Sequence, residues 1–316
     1  MIALLLIGIF ALLFITAALA PLESLSWFAW DTRRTAVGKK RTSAPRLKTQ
    51  PQADAYVVYL SGIGAISGTS IPQEEYPFLQ KLTADLPRVK VITDIYPYSV
   101  TNNGLTGQRQ FTKLWQWVES LRLKNPNSVM SLMVNIRNVF QMFVSADRRY
   151  GPVYNLGISE EIMRGLRRHG YDPAQQKPVV LIGWSGGGQI AIGAANYLSE
   201  LTGGVNVLSL GGLLSDDTGL AHVSHLWHLY GTNDGLQAMG AKLFAGRWPH
   251  FSQSPWHEAV RRGAISMIEL GPHNHNGTGN YFDMTTKMPN STKTYGGITV
   301  QTITQIIQWD ILTQRS

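Results

Sequence analysis

The chain has 316 residues, a formal net charge of +8 and no cysteine. That length suits one elaborated domain rather than two large ones. With 44% hydrophobic and 15% charged residues, the composition is that of a globular protein and excludes a disordered or collagenous chain. The missing cysteine excludes a disulfide framework, a zinc–thiolate site and a cysteine nucleophile.

Residues Ile2 to Leu22 carry no charge, and the first charged side chain is Glu23. About 20 apolar residues span the hydrocarbon core of a bilayer, so residues 1–22 are expected to form a transmembrane anchor. Trp27, Phe28 and Trp30 follow as an interfacial aromatic belt. Between Thr32 and Gln50 come Arg33, Arg34, Lys39, Lys40, Arg41, Arg46 and Lys48 without one acid. Taking these seven from the 28 basic residues leaves 21 against 20 acidic ones. The charge is therefore a juxtamembrane feature. It suits anionic membrane lipids, whereas a nucleic-acid partner would need a basic face on the fold, and none is expected. The positive-inside rule places the following domain on the cytoplasmic side of a single-pass protein. The competing expectation is a signal peptide cut after Ala18-Leu19-Ala20, with export. Against it, no Lys or Arg precedes the apolar run, and Pro21 would sit directly after the cut. Residues 23–54, aromatic then basic with Pro45 and Pro51, read as a linker.

From residue 55 to 316 compact apolar runs alternate with helical patterns. This is the signature of an α/β fold with a mostly parallel central sheet and helices on both faces. The expected strands are Tyr56 to Leu60, Val89 to Thr93, Val179 to Ile182, Val205 to Leu210, Leu226 to Tyr230 and Ile265 to Leu270. The expected helices are Tyr76 to Leu86, Ile158 to His169, Gln189 to Leu201 and Ile298 to Thr313. Residues 100–150 break the alternation. Two helices, Phe111 to Lys124 and Val129 to Val144, read as a cap inserted over the sheet. The second carries Val129, Leu132, Met133, Ile136, Val139, Phe140 and Phe143 as a wide apolar stripe.

Gly183-Trp184-Ser185-Gly186-Gly187 fits G-x-S-x-G between a strand and a helix, the context a nucleophile elbow requires. Gly183 and Gly187 give the tight turn its room, and Ser185 projects near a helix N-terminus that favours negative charge. A phosphate loop would need a lysine that is absent here. With this motif in its strand–turn–helix setting, residues 55 to 316 resemble the α/β-hydrolase superfamily of lipase and esterase kind. The resemblance implies the chain order nucleophile, acid, histidine. It points to Asp234, in Leu229-Tyr230-Gly231-Thr232-Asn233-Asp234-Gly235, as the acid, with Asp216 and Asp217 one strand earlier as runners-up. It points to His275 as the base, beside Asn276-Gly277, with His273 as the alternative. The oxyanion hole implied by the resemblance uses the amide of Gly186 and a second donor from Ser61-Gly62-Ile63-Gly64-Ala65, with Ile63 and Gly64 as candidates. That loop departs from the His-Gly pattern frequent in the family.

His222, His225 and His228 stand three apart, but a strand puts such residues on opposite faces. No metal and no cofactor is expected. The expected activity is hydrolysis of carboxylic esters through an acyl-enzyme, with lipid or other lipophilic acyl esters as substrates. A thioesterase or acyltransferase on the same triad, or a catalytically silent hydrolase fold used as an interaction module, are the alternatives.

Overall fold

The structure, a computed structural model, describes residues 53–67, 71–100 and 129–313, together with Gly8, Ala11, Phe14 and Ile15. The proposed anchor, apart from those four residues, and the linker up to residue 52 lie outside the described residues, as does the expected helix Phe111 to Lys124. Among the described residues no helix is long and apolar enough to cross a membrane.

Six strands form one sheet: β1 (Ala55–Leu60), β2 (Val89–Ile92), β3 (Val179–Trp184), β4 (Val205–Leu210), β5 (His225–Tyr230) and β6 (Ile265–Glu269). Their order is β2-β1-β3-β4-β5-β6. Every pairing is parallel, with Leu60 opposite Gly183 and Gly183 opposite Ser209 in register. Parallel neighbours need long crossovers, and the crossover helices cover both faces of the sheet. That is why β1 and β3, at the centre, are buried along their whole length. Such doubly covered strands read as unbroken apolar runs.

The alternation of side chains along each strand divides the core in two. On one face Val58, Leu60, Leu181, Val207 and Leu226 meet Ile158, Ile162, Ile190 and Ala194. Those four come from α3 (Gly151–Arg168) and α4 (Gly186–Leu198). On the other face Val57, Tyr59, Val180, Ile182 and Leu229 meet Phe78, Leu82, Val300 and Ile303. These belong to α1 (Glu75–Asp85) and α7 (Tyr295–Gln305). Beyond α7 the chain continues as a π-helical segment, Ile306–Leu312, where one continuous α-helix was expected. Two short helices, α5 (Gly235–Leu243) and α6 (Pro255–Arg261), were not expected.

The helix read as part of a cap is α2 (Val129–Ala146). Of its apolar stripe, Leu132 is 51% and Phe143 39% exposed, while Ile136, Val139 and Phe140 are half-buried. Arg137, Asn138, Gln141 and Ser145, at 0–2% exposure, are buried beside Val134, Met142 and Val144. A buried polar face costs free energy unless its groups are paired, and here Arg137, Asn138 and Ser145 are. Asn138 Nδ2 donates to the carbonyls of Ile63 (2.7 Å) and Ala65 (2.9 Å). Tyr96 donates to Asn138 Oδ1 at 3.0 Å, and Arg137 donates to the Tyr98 carbonyl at 3.1 Å. Ser145 donates to Asn155 of α3 at 2.7 Å. The helix is thus tied by hydrogen bonds to the segments that follow β1 and β2.

Candidate active site

The turn from β3 to α4 holds Ser185 at φ 51° and ψ −118°. A non-glycine residue in that region stores roughly 1–3 kcal/mol of strain and persists only where the surroundings enforce it. Two backbone bonds do so: Ser185 N–H to Leu210 O (3.0 Å) and Gly188 N–H to Ser185 O (3.1 Å). The flanking glycines are required by contact. A Cβ on Gly183 would lie 2.5 Å from the Gly187 carbonyl oxygen, and one on Gly187 would lie 2.3 Å from the Leu60 carbonyl oxygen. Both obstacles are backbone. Gly187→Ala is therefore expected to cost about 1–3 kcal/mol by overpacking. Thermal unfolding would show this as a Tm drop of roughly 3–10 °C, and an unchanged Tm would contradict the packing.

The strained turn aims Ser185 Oγ at His275 Nε2, 3.0 Å away. His275 Nδ1 lies 2.9 Å from Asp234 Oδ2. Three groups separated by 90 and 41 residues along the chain thus form one relay. The carboxylate can only accept, so Nδ1 carries the proton and Nε2 is left to take one from Ser185. The ring is also held from the side. Trp184, the elbow residue before the serine, stacks on His275 with centroids 4.5 Å apart at 25°. Gly62 makes room for that indole, since a Cβ there would lie 2.5 Å from Trp184 Cδ1.

Asp234 ends the β5 turn and caps α5. Its Oδ1 accepts from the amides of Leu236 (3.0 Å) and Gln237 (3.2 Å). Its Oδ2 accepts from Tyr281 (2.8 Å) as well as from His275. Burial by itself would raise the carboxyl's pKa. The hydrogen bond and charge of His275, then Tyr281 and the Gln237 amide, outweigh burial and hold it below the usual value. Burial and the neighbouring Asp234 push the Tyr281 phenol far up, so it stays a donor. Sequence reasoning missed Tyr281, six residues beyond the histidine.

His275 stands in the loop after β6, where Gly271, Gly277 and Gly279 take positive φ. Asn274 N–H bonds the Gly279 carbonyl at 2.9 Å and closes the loop behind the imidazole. The alternative residues lie elsewhere. His273 is fully buried, with Nε2 3.1 Å from the Tyr295 carbonyl, and burial lowers its pKa. Asp217 caps a short turn through Gly219 N–H (2.7 Å) and accepts from Gln189 (3.0 Å). Burial pushes its carboxyl up to about 6. Asp216 pairs with Arg148 at 2.7 Å. None of these three bonds Ser185 or His275 among the described residues. His228 lies buried between Ser209 and Gln237, at 3.1 and 3.2 Å, and His225 bonds Ser266 at 2.8 Å.

Gly186 is the first residue of α4, so its amide belongs to the first turn, which no helical carbonyl satisfies. The loop after β1 faces it. A Cβ on Gly186 would lie 3.0 Å from Ile63 Cγ2, 3.1 Å from the Tyr98 hydroxyl and 3.4 Å from Met142 Sδ. The loop closes on itself through Ala65 N–H to Gly62 O at 3.0 Å, leaving Ile63 and Gly64 at its tip. Asn138 holds the Ile63 carbonyl, so the trans peptide turns the Gly64 N–H the opposite way. Sequence reasoning missed Asn138 too. Its signal was Arg137-Asn138, two polar residues set within an apolar helix.

A separate cavity of about 940 Å³ opens beside Arg148, Asn196, Asp216, Phe244 and His250 and includes no member of the relay.

No family model and no curated protein matches the chain. Among solved structures, the chain is similar to the poly(3-hydroxybutyrate) depolymerase LpqC from Bordetella parapertussis. The likeness has 11% identity and a TM-score of 0.37, over 83% of this chain and 80% of that one. The architecture itself is plain. A parallel sheet carries helices on both faces, and a strained G-x-S-x-G turn stands at the carboxyl end of a central strand, with the acid and the histidine later in the chain. This is an α/β fold with a nucleophile-elbow turn at the end of its central strand.

Proposed function

We propose that the chain is a serine hydrolase that cleaves carboxylic esters, with lipid or other lipophilic acyl esters as substrates. The observation that carries this reading is the unbroken relay from Ser185 Oγ through His275 to Asp234, with Ser185 at positive φ. Ser185 Oγ attacks the ester carbonyl carbon while its proton passes to His275 Nε2. Asp234 stabilises the resulting imidazolium through Nδ1–H. The tetrahedral oxyanion is met by the Gly186 amide and by a donor from Ile63 or Gly64. Collapse expels the alcohol, which takes the proton from His275, and leaves an acyl group on Ser185. Water then attacks the acyl carbonyl, losing its proton to His275. Collapse releases the acid, and the proton returns to Ser185.

The lipophilic substrate is supported by the surroundings of Gly186, where Ile63 and Met142 stand, and by the outward apolar side of α2. The uncharged run of residues 2–22 supports a membrane tether, residues 23–54 a linker, and the basic flank a cytoplasmic domain in contact with anionic lipids. A p-nitrophenyl ester series from acetyl to dodecanoyl tests the substrate class. We expect kcat/KM to rise at least roughly tenfold from acetyl to octanoyl, since each buried CH₂ contributes about 0.8 kcal/mol. A maximum at acetyl would contradict the lipophilic assignment.

A further inference from the structure

Glu75 is an acid in the first turn of a helix, where the dipole accounts for its presence but not for its burial. It opens α1, yet its side chain is buried at 1% exposure. Ser61 Oγ lies 2.9 and 2.8 Å from its two carboxyl oxygens, and the Tyr59 hydroxyl lies 2.9 Å from Oε2. Ser61 is the first residue of the loop that faces Gly186, and its carbonyl accepts from Tyr98 at 3.1 Å. The Tyr98 hydroxyl is itself one of the groups a Cβ on Gly186 would touch. A chain of contacts therefore runs from Glu75 to the place where negative charge develops in the reaction.

We propose that Glu75 is a positioning residue: from inside the core it holds Ser61, and through Ser61 the loop that supplies the second oxyanion donor, and it does so as the neutral acid. The inference rests on reading Ser185 as the nucleophile. Its logic is electrostatic. An ionised carboxylate beside an oxyanion hole opposes the charge the hole is built to stabilise. A neutral carboxyl keeps the geometry without that penalty. The groups around Glu75 fit this state. Facing it are Tyr59 from β1, Tyr98 from the segment after β2, and Glu74 beside it. On α2, Arg137 is bonded to the Tyr98 carbonyl, and from segment 280–282 Asn280 is bonded to Glu74. Among the described residues no cation pairs with Glu75. Burial pushes its carboxyl up to about 8, against the lowering effect of Ser61 and Tyr59.

The test compares the full chain with Glu75→Gln and Glu75→Ala. Fluorophosphonate labelling rates and kcat and KM for p-nitrophenyl butyrate are followed from pH 6 to 10. In the wild type both rates should fall as pH rises through about 8. E75A should lose roughly 10- to 100-fold in kcat, part of what a lost oxyanion donor costs, with KM little changed. E75Q carries the hydrogen bonds of the neutral acid, so it should recover most of that loss and should lack the alkaline fall. An alkaline fall in E75Q like that of the wild type, or a wild-type kcat in E75A, overturns the proposal. If the wild type is labelled no faster than Ser185→Ala, the serine-hydrolase reading fails and the proposal falls with it. Unfolding gives a readout independent of turnover. A carboxyl whose folded pKa is raised from 4.5 to about 8 contributes stability that is full below 4.5 and is lost as pH rises through about 8. The Tm of E75Q should therefore gain on that of the wild type between pH 5 and 9. A constant difference overturns the neutral-acid assignment. The same readout covers the case in which E75A does not fold.

Discussion

Ser185→Ala should lower ester turnover by a factor on the order of 10⁶, leaving only the residual catalysis of substrate binding and the oxyanion donors. The fold should survive the change. The Ser185 side chain has a hydrogen bond to His275, while the turn is held by backbone bonds to Leu210 and Gly188 that alanine keeps. Alanine also adopts the same positive φ at the same cost. A p-nitrophenyl butyrate assay beside a thermal melt separates chemistry from folding. The expected result is lost turnover at a Tm within about 2 °C of the wild type. Retained turnover would remove Ser185 from the mechanism.

Asp234→Asn should cost about 10⁴ in kcat. The carboxylate fixes the His275 tautomer because it accepts from Nδ1 at 2.9 Å. An amide nitrogen turned toward that position donates instead, moves the proton to Nε2 and leaves the imidazole unable to take the Ser185 proton. An amide oxygen can still accept from the Leu236 and Gln237 amides, so α5 keeps its cap. Asp234→Ala removes the cap as well and should cost about 1 kcal/mol of additional stability. The two variants thus separate the acid's catalytic duty from its structural one. The measurement is kcat with Tm for each. Equal kcat in the wild type and the asparagine variant would show that another group orients His275.

Much of this architecture is legible in the chain because burial on both faces leaves a strong trace. Val179 to Ile182 is an unbroken apolar run and Val205 to Leu210 is broken only by Asn206 and Ser209, and the structure places strands at both. The elbow is legible because its glycines answer to backbone contacts at Gly187 and Leu60 that no side chain could share. The choice between His275 and His273 was not legible. Two residues apart in one glycine-containing loop, they differ only in which way the turn sends each ring: one to Ser185, the other to the Tyr295 carbonyl. The polar residues on the inward face of α2 were not legible, because apolar periodicity assumes that apolar means buried. Arg137 and Asn138 are buried because their partners are backbone carbonyls of distant loops, which no local pattern reveals. Glu75 was hidden for a related reason. An acid in the first turn of a helix is the ordinary companion of the helix dipole, and its burial comes from Ser61 and Tyr59 on another element. The short helices α5 and α6 begin at Asp234 and at Ser254-Pro255, recognisable capping residues. Their lengths of nine and seven residues are too short for a periodic signal.

The most direct measurement is peptide mapping by mass spectrometry after the full chain reacts with a fluorophosphonate. The account predicts one adduct, on the peptide carrying Ser185, absent from Ser185→Ala and from the heat-unfolded protein. An adduct on any other residue, or ester turnover by protein that takes no adduct at Ser185, would contradict it.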